Sequence, residues 1–153
     1  MTQRHRSGQC AVYVAAALVL AACGDTSKAD PENKTQVVQG ERVYSAHCAT
    51  CHGVKLEGQP NWRERLATGR LPAPPHDPSG HTWHHSDELL FSMTKNGMEP
   101  HAPPNYNSDM PAFGDRLSDA DIWAVLAYIK STWPEETRNA QAALTREDAG
   151  ARK

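Results

Sequence analysis

The stretch CATCHG, Cys48 to Gly53, sets two cysteines and a histidine within five residues of one another. A helical pattern runs into it from the N-terminal side. Val37, Gly40, Tyr44, Cys48 and Cys51 recur at helical spacing, so a glycine gap, an aromatic ring and both thiols fall along one face. The rest of the chain bounds what such a segment can do. At 153 residues, with no second block of apolar periodicity, it has the length of one domain. Hydrophobic residues are 39% and aromatics 7% of the chain, which is thin for a core that must stand alone, so a bound group with apolar surface of its own would help it fold. The formal net charge of -2, without a basic patch interleaved with aromatics or a phosphate-cradling glycine loop, argues against nucleic acid as a partner.

Cys-x-x-Cys-His admits four readings: a structural disulfide, a thioredoxin-like redox pair, half of a zinc site, and covalent attachment of haem. A disulfide closing so short a loop constrains little of the unfolded chain and gives His52 no task. A thioredoxin-like pair wants a strand before it and a helix starting at it, whereas here the helical pattern leads in. A structural zinc site wants a second Cys or His pair at matching spacing, and no second Cys pair is present, though histidines are. Haem attachment lacks no part. Cys48 and Cys51 can bond the two vinyl groups of neighbouring pyrroles while the imidazole of His52 lies beneath the iron.

One histidine leaves the sixth position of such an iron to be filled, and the ligand there separates electron transfer from chemistry on a bound molecule. Three methionines follow the motif: Met93, Met98 and Met110. Met93 lies inside SDELLFSMTKNG, a short predicted helix with Ser86 as N-cap and Gly97 as its stop, where packing is its expected task. Met98 follows in a turn. Met110 stands in SDMPAFGDRLSD, where Pro111 biases it to an extended backbone. The helix predicted after it has Ser118 as N-cap, Asp121 as the carboxylate of a capping box, and Ile122, Val125, Leu126 and Ile129 as its apolar stripe.

Here the sequence resembles the class I monohaem c-type cytochromes: CATCHG is like their haem-attachment segment, and DMPAF followed by LSDADIWAVLAYIKSTWP is like their distal loop and last helix. The resemblance covers roughly residues 35–134 and is weakest between Leu56 and Pro104, where an insertion rich in proline and histidine intervenes. It implies an all-α fold, three to five helices wrapped around one covalently bound haem c, with His52 and Met110 as axial ligands. It also implies that the first and last helices cross near perpendicular, with Gly40 and Tyr44 meeting Val125 and Tyr128. By the same likeness the proximal imidazole donates its other N–H to a backbone carbonyl, with Pro60 and Pro75 as candidate owners.

At the N-terminus, Arg4, His5 and Arg6 precede the apolar run AVYVAAALVL, which has the charge order and length of a secretory signal and is short for a membrane span. The residues LAAC, Leu20 to Cys23, resemble the lipobox of bacterial lipoproteins, which implies an acylated Cys23 as first mature residue. Cys10 would leave with the signal, and the mature chain would keep 14 basic against 18 acidic residues, a charge of -4. The expected organisation is a signal over 1–22, lipidated cysteine and flexible tether over 23–34, cytochrome domain over 35–134, and a polar C-terminal tail over 135–153, which could form a weak helix without a sustained apolar face, disordered or lightly docked.

The segment PHDPSGHTWHHSDE carries His76, Asp77, His81, His84 and His85, with His101 later, and such a cluster could bind copper or zinc. Irregular spacing and the surrounding prolines favour loop histidines instead, some packing at a haem edge near Trp83. Trp62, Trp83 and Tyr106 are candidate haem-pocket residues. The expectation is an electron-transfer protein and not an enzyme: a one-electron carrier in the bacterial cell envelope, lipid-anchored and facing the periplasm. Its partners would be a redox donor and acceptor at the membrane. The alternative is a haem-containing metal-binding protein that uses the histidine insertion.

Overall fold

The structure, a computed structural model, describes residues 28–152. The signal segment and Cys23 lie outside the described residues. Five α-helices and two 3-10 turns make up the regular structure, with no strand among the described residues. Helix α1 spans Lys34–His47, α2 Ala49–His52, α3 Asp87–Asn96, α4 Asp119–Ser131 and α5 Glu135–Ala151.

Helix α4 organises the core. Its capping box forms as expected: the Asp121 N–H donates to Ser118 Oγ at 3.2 Å, and the Ser118 N–H donates to Asp121 Oδ2 at 3.3 Å. Beyond it, Ile122, Leu126 and Ala127 enter one apolar cluster with Leu90, Phe113 and Leu117, while Val125 and Ile129 enter a second with Tyr44, Leu56 and Trp133. The helix is therefore buried on two faces, and each face holds a different part of the site. Helix α1 crosses it at Gly40, where a Cβ would overlap the Ala124 carbonyl oxygen and stand 2.8 Å from Tyr128 Cβ. Only glycine allows so close an approach. The ring of Tyr44 meets that of Tyr128 at 5.5 Å and shares a cluster with Val125, so the residues expected at the crossing are the residues found there.

Two boundaries differ from the sequence reading. The tether expected over 23–34 is in part folded: Ala29 is fully buried in the first cluster, Asn33 caps α1 by accepting from the Gln36 N–H, and Gln36 binds back to Asp30 and the Lys28 carbonyl. The tail expected over 135–153 forms α5 and docks. Its one buried residue is Gln141, whose amide donates to Asp87 Oδ1 at 2.7 Å and to the His85 carbonyl at 3.1 Å. Asp87 also receives Lys130 Nζ of α4 at 2.8 Å, with both side chains buried, so α3, α4 and α5 meet at one carboxylate. The helix is held by hydrogen bonds, which an apolar-stripe reading does not detect.

Candidate functional site

Cys48 ends α1 and opens α2; its thiol packs against the second cluster, and Cys51 is exposed three residues on. Both thiols are free. Burial, and then the neighbouring Cys51, push the Cys48 thiol up to about 11. That is the reverse of what a thioredoxin-like pair needs, since such a pair works through a stabilised thiolate.

His52 is buried, with 7% of its surface exposed. Its Nδ1 stands 2.8 Å from the Pro74 carbonyl oxygen, which can only accept, so Nδ1 carries the proton and Nε2 keeps a lone pair. The carbonyl belongs to Pro74, not to Pro60 or Pro75 as the sequence suggested. Burial pulls the His52 pKa below its ordinary value, partly opposed by the Pro74 hydrogen bond. The ring is therefore kept neutral and able to bind a metal.

The proline segment that supplies this carbonyl is fixed to the attachment segment by its backbone. Leu56 adopts a left-handed conformation, φ 65, and its carbonyl accepts from the N–H of His76 at 2.8 Å and of Asp77 at 3.2 Å. Gly58 donates to the His52 carbonyl at 2.7 Å, and Gln59 to that of Ala73 at 2.9 Å. Gly58 is also left-handed, and a Cβ on it would overlap the backbone at Pro74 and Pro75. The resulting cradle brings in a residue that the sequence reading treated only as one histidine of a cluster. The His76 ring stacks on His52 with centroids 4.0 Å apart and planes 24° from parallel. Burial, then the nearby His52 and His81, hold its pKa well below the ordinary value.

The other histidines go elsewhere. His81 stacks on Trp62 and touches His85 edge-on, His84 stacks on Trp83, and His101 Nε2 lies 2.9 Å from Ser92 Oγ. Among the described residues, no three His, Cys, Asp or Glu side chains are grouped so as to hold a metal ion. Of the expected pocket aromatics, Trp62 stacks on His81, Trp83 packs against the second cluster, and Tyr106 lies under Arg65.

Met110 belongs to the opposite side of α4, half-buried against the first cluster. Its loop is strapped to the end of α3. Phe113 donates to the Thr94 carbonyl at 3.0 Å and Gly114 to that of Lys95 at 2.9 Å, occupying carbonyls that the helix end leaves free. Met98 sits half-buried at the start of the 3-10 turn Glu99–His101, and Met93 is half-buried within α3.

Two cysteines not joined to each other by a disulfide, a buried imidazole with its lone pair free, and apolar clusters on both faces of α4 suit a covalently held porphyrin. The family model described as Cytochrome c matches residues 37–133, more than half of the chain. The chain belongs to the cytochrome c family. No curated protein and no solved structure matches it. As a cytochrome c it carries haem c, bound covalently through Cys48 and Cys51, whose spacing is that of the family's attachment motif, and it is a haem-binding electron carrier. The family match begins within α1 and ends at Trp133, leaving α5 outside it.

Proposed function

We propose that this cytochrome is a class I monohaem, lipoprotein-type carrier. It faces the periplasm from a bacterial membrane and passes single electrons between a donor and an acceptor protein. His52 and Met110 are the axial ligands. The observation that carries the reading is the His52 hydrogen bond: with Nδ1–H engaged by Pro74, the remaining nitrogen is a neutral donor on the residue that follows the two attachment cysteines in sequence. The bound iron supplies one-electron chemistry, and a thioether ligand favours its ferrous form relative to a second imidazole. The chain's own work is to hold both ligands still. His52 is fixed by Pro74, and Met110 is carried by a loop tied to α3, so neither has to move when charge changes. With the sixth position filled by sulfur, no open site remains for a turnover substrate, which favours a carrier over an enzyme.

Cys23 is the proposed anchor, followed by a short polar linker into the folded residues near Ala29. Tethering would confine the domain near membrane partners and raise its effective concentration there. No helix among the described residues is long and apolar enough to cross a membrane. The metal-handling alternative has no comparable support, because its histidines are spread over separate stacks.

The absorption spectrum of the oxidised protein tests the ligation. A weak near-infrared sulfur-to-iron band is expected in the parent and in Met98→Ala, and is lost in Met110→Ala. A band that survives Met110→Ala overturns the assignment. Labelled palmitate should enter the parent and not Cys23→Ser; an unlabelled parent removes the anchor.

A further inference from the structure

The contacts of His76 exceed what filling space requires. Its backbone N–H donates to Leu56, its carbonyl accepts from Trp133 Nε1 at 2.7 Å, its Nδ1 lies 2.8 Å from Thr82 Oγ1, and its ring meets Tyr44 edge-on. A leucine could occupy the same depth without a polar partner, whereas a half-buried imidazole needs one for its inward nitrogen, and the buried Thr82 provides it. What imidazole has and leucine lacks is a flat face, and that face lies against His52.

We propose that His76 is a positioning residue, whose stacked ring fixes the rotation of the His52 imidazole about the axis through its iron-binding nitrogen. The proposal rests on His52 being an iron ligand. The Pro74 carbonyl restrains the His52 ring at one point, Nδ1, and a ring held at Cβ and at one nitrogen can still rock. A stacked ring with its centroid 4.0 Å away stops that rocking. The direction of the ligand plane matters to the metal, because the imidazole π system mixes with one of two iron dπ orbitals and so decides how spin and charge spread over the macrocycle. Fixing an axial ring from outside the ligand set is a recognised way for a protein to tune its metal.

Proton NMR of the oxidised holoprotein reads this directly. The order and spread of the paramagnetically shifted haem methyl resonances report the ligand plane, and the shifted His52 ring protons report ligation itself. In His76→Phe, which keeps a flat ring, the parent's methyl order is expected to persist. In His76→Leu, which keeps apolar bulk without planarity, the methyls should change order or spread. Thr82→Val, which leaves the His76 ring but frees its Nδ1, should give a smaller shift in the same direction. A folded Leu variant with the parent's pattern, or a Phe variant displaced as far as Leu, overturns the proposal. Should the Leu variant fail to fold, Thr82→Val decides, and an unchanged spectrum there overturns it. If shifted His52 protons are present but insensitive to His76, this inference alone falls. If the parent shows none, the ligation of His52 falls and takes the inference with it.

Discussion

The two sides of the cytochrome are built to different standards of restraint. On the His52 side, the attachment segment and the proline segment are joined by three backbone hydrogen bonds between residues 52–59 and 73–77, by the His52 to Pro74 bond, and by a glycine contact with no room for a Cβ. On the Met110 side, two backbone bonds tie the loop to the end of α3, with a side-chain bond from the Met110 N–H to Ser108 and an exposed ion pair from Arg70 to Asp109. An exposed pair of that kind contributes about 0–1 kcal/mol. The difference teaches that the His52 imidazole is set by backbone geometry, while the Met110 side chain depends on how well α3 is held.

The largest test of that contrast is Asp87→Ala. It leaves Lys130 buried without its carboxylate and should cost roughly 3–5 kcal/mol in urea unfolding. Because α3 carries the strap at its other end, the Phe113 and Gly114 amides should exchange hydrogen faster than those of Gly58 and His76; equal acceleration on both sides would break the comparison. Next in size is a matched pair of glycines, both at positive φ. Gly58→Ala combines backbone strain with overlap at Pro74 and Pro75 and should cost about 3 kcal/mol. At Gly97, φ 81 and ψ -178, the nearest atoms to a Cβ are 3.6 Å away on Ala112, so Gly97→Ala should cost only the strain, about 2 kcal/mol. Thermal or urea unfolding ranks the two, and a reversed order would sink the claim that the His52 side is the tighter.

The smallest effect is that of acid. The Asp121 carboxyl is held below its usual range by the Ser118 hydroxyl first and Gln39 second. A folded pKa below the unfolded one gives stability that is present above the unfolded value, about 3.9, and fades as pH falls through the folded one. Asp121→Asn should therefore flatten the acid limb of a stability profile while the near-infrared band stays intact above it. A profile unchanged in that limb would show that the cap contributes nothing there.

Much of this was legible in the chain because it rests on local rules. Ser86 and Gly97 bracket α3 and Ser118 and Asp121 open α4, each acting on near neighbours, while Gly40 was legible as the crossing only through the family likeness. The attachment cysteines were legible by their local spacing. What stayed hidden depends on partners distant in sequence. Pro74 was concealed among several prolines, because which carbonyl reaches His52 depends on the turn at Leu56 and the approach of Gly58. Helix α5 was legible only as a weak helix, and its docking was concealed because it buries one glutamine and not an apolar stripe, although Glu135 and Glu136 in its first turn suit a helix N-terminus. The partner of the His76 ring could not be read at all, since a histidine in a histidine-rich segment carries no mark of what it faces.

The distances in sequence across these contacts also bear on the order of assembly. The bond from His52 to Pro74 closes a loop of 22 residues, whereas the bond from Gln39 to Asp121, beside the α1 to α4 crossing, closes one of 82. Loop-closure entropy favours the shorter by about 1 kcal/mol. A folding chain can thus shape the ground beneath its cysteines while the last helices are still on their way, so that attachment of the pigment would meet a contoured but unroofed bed.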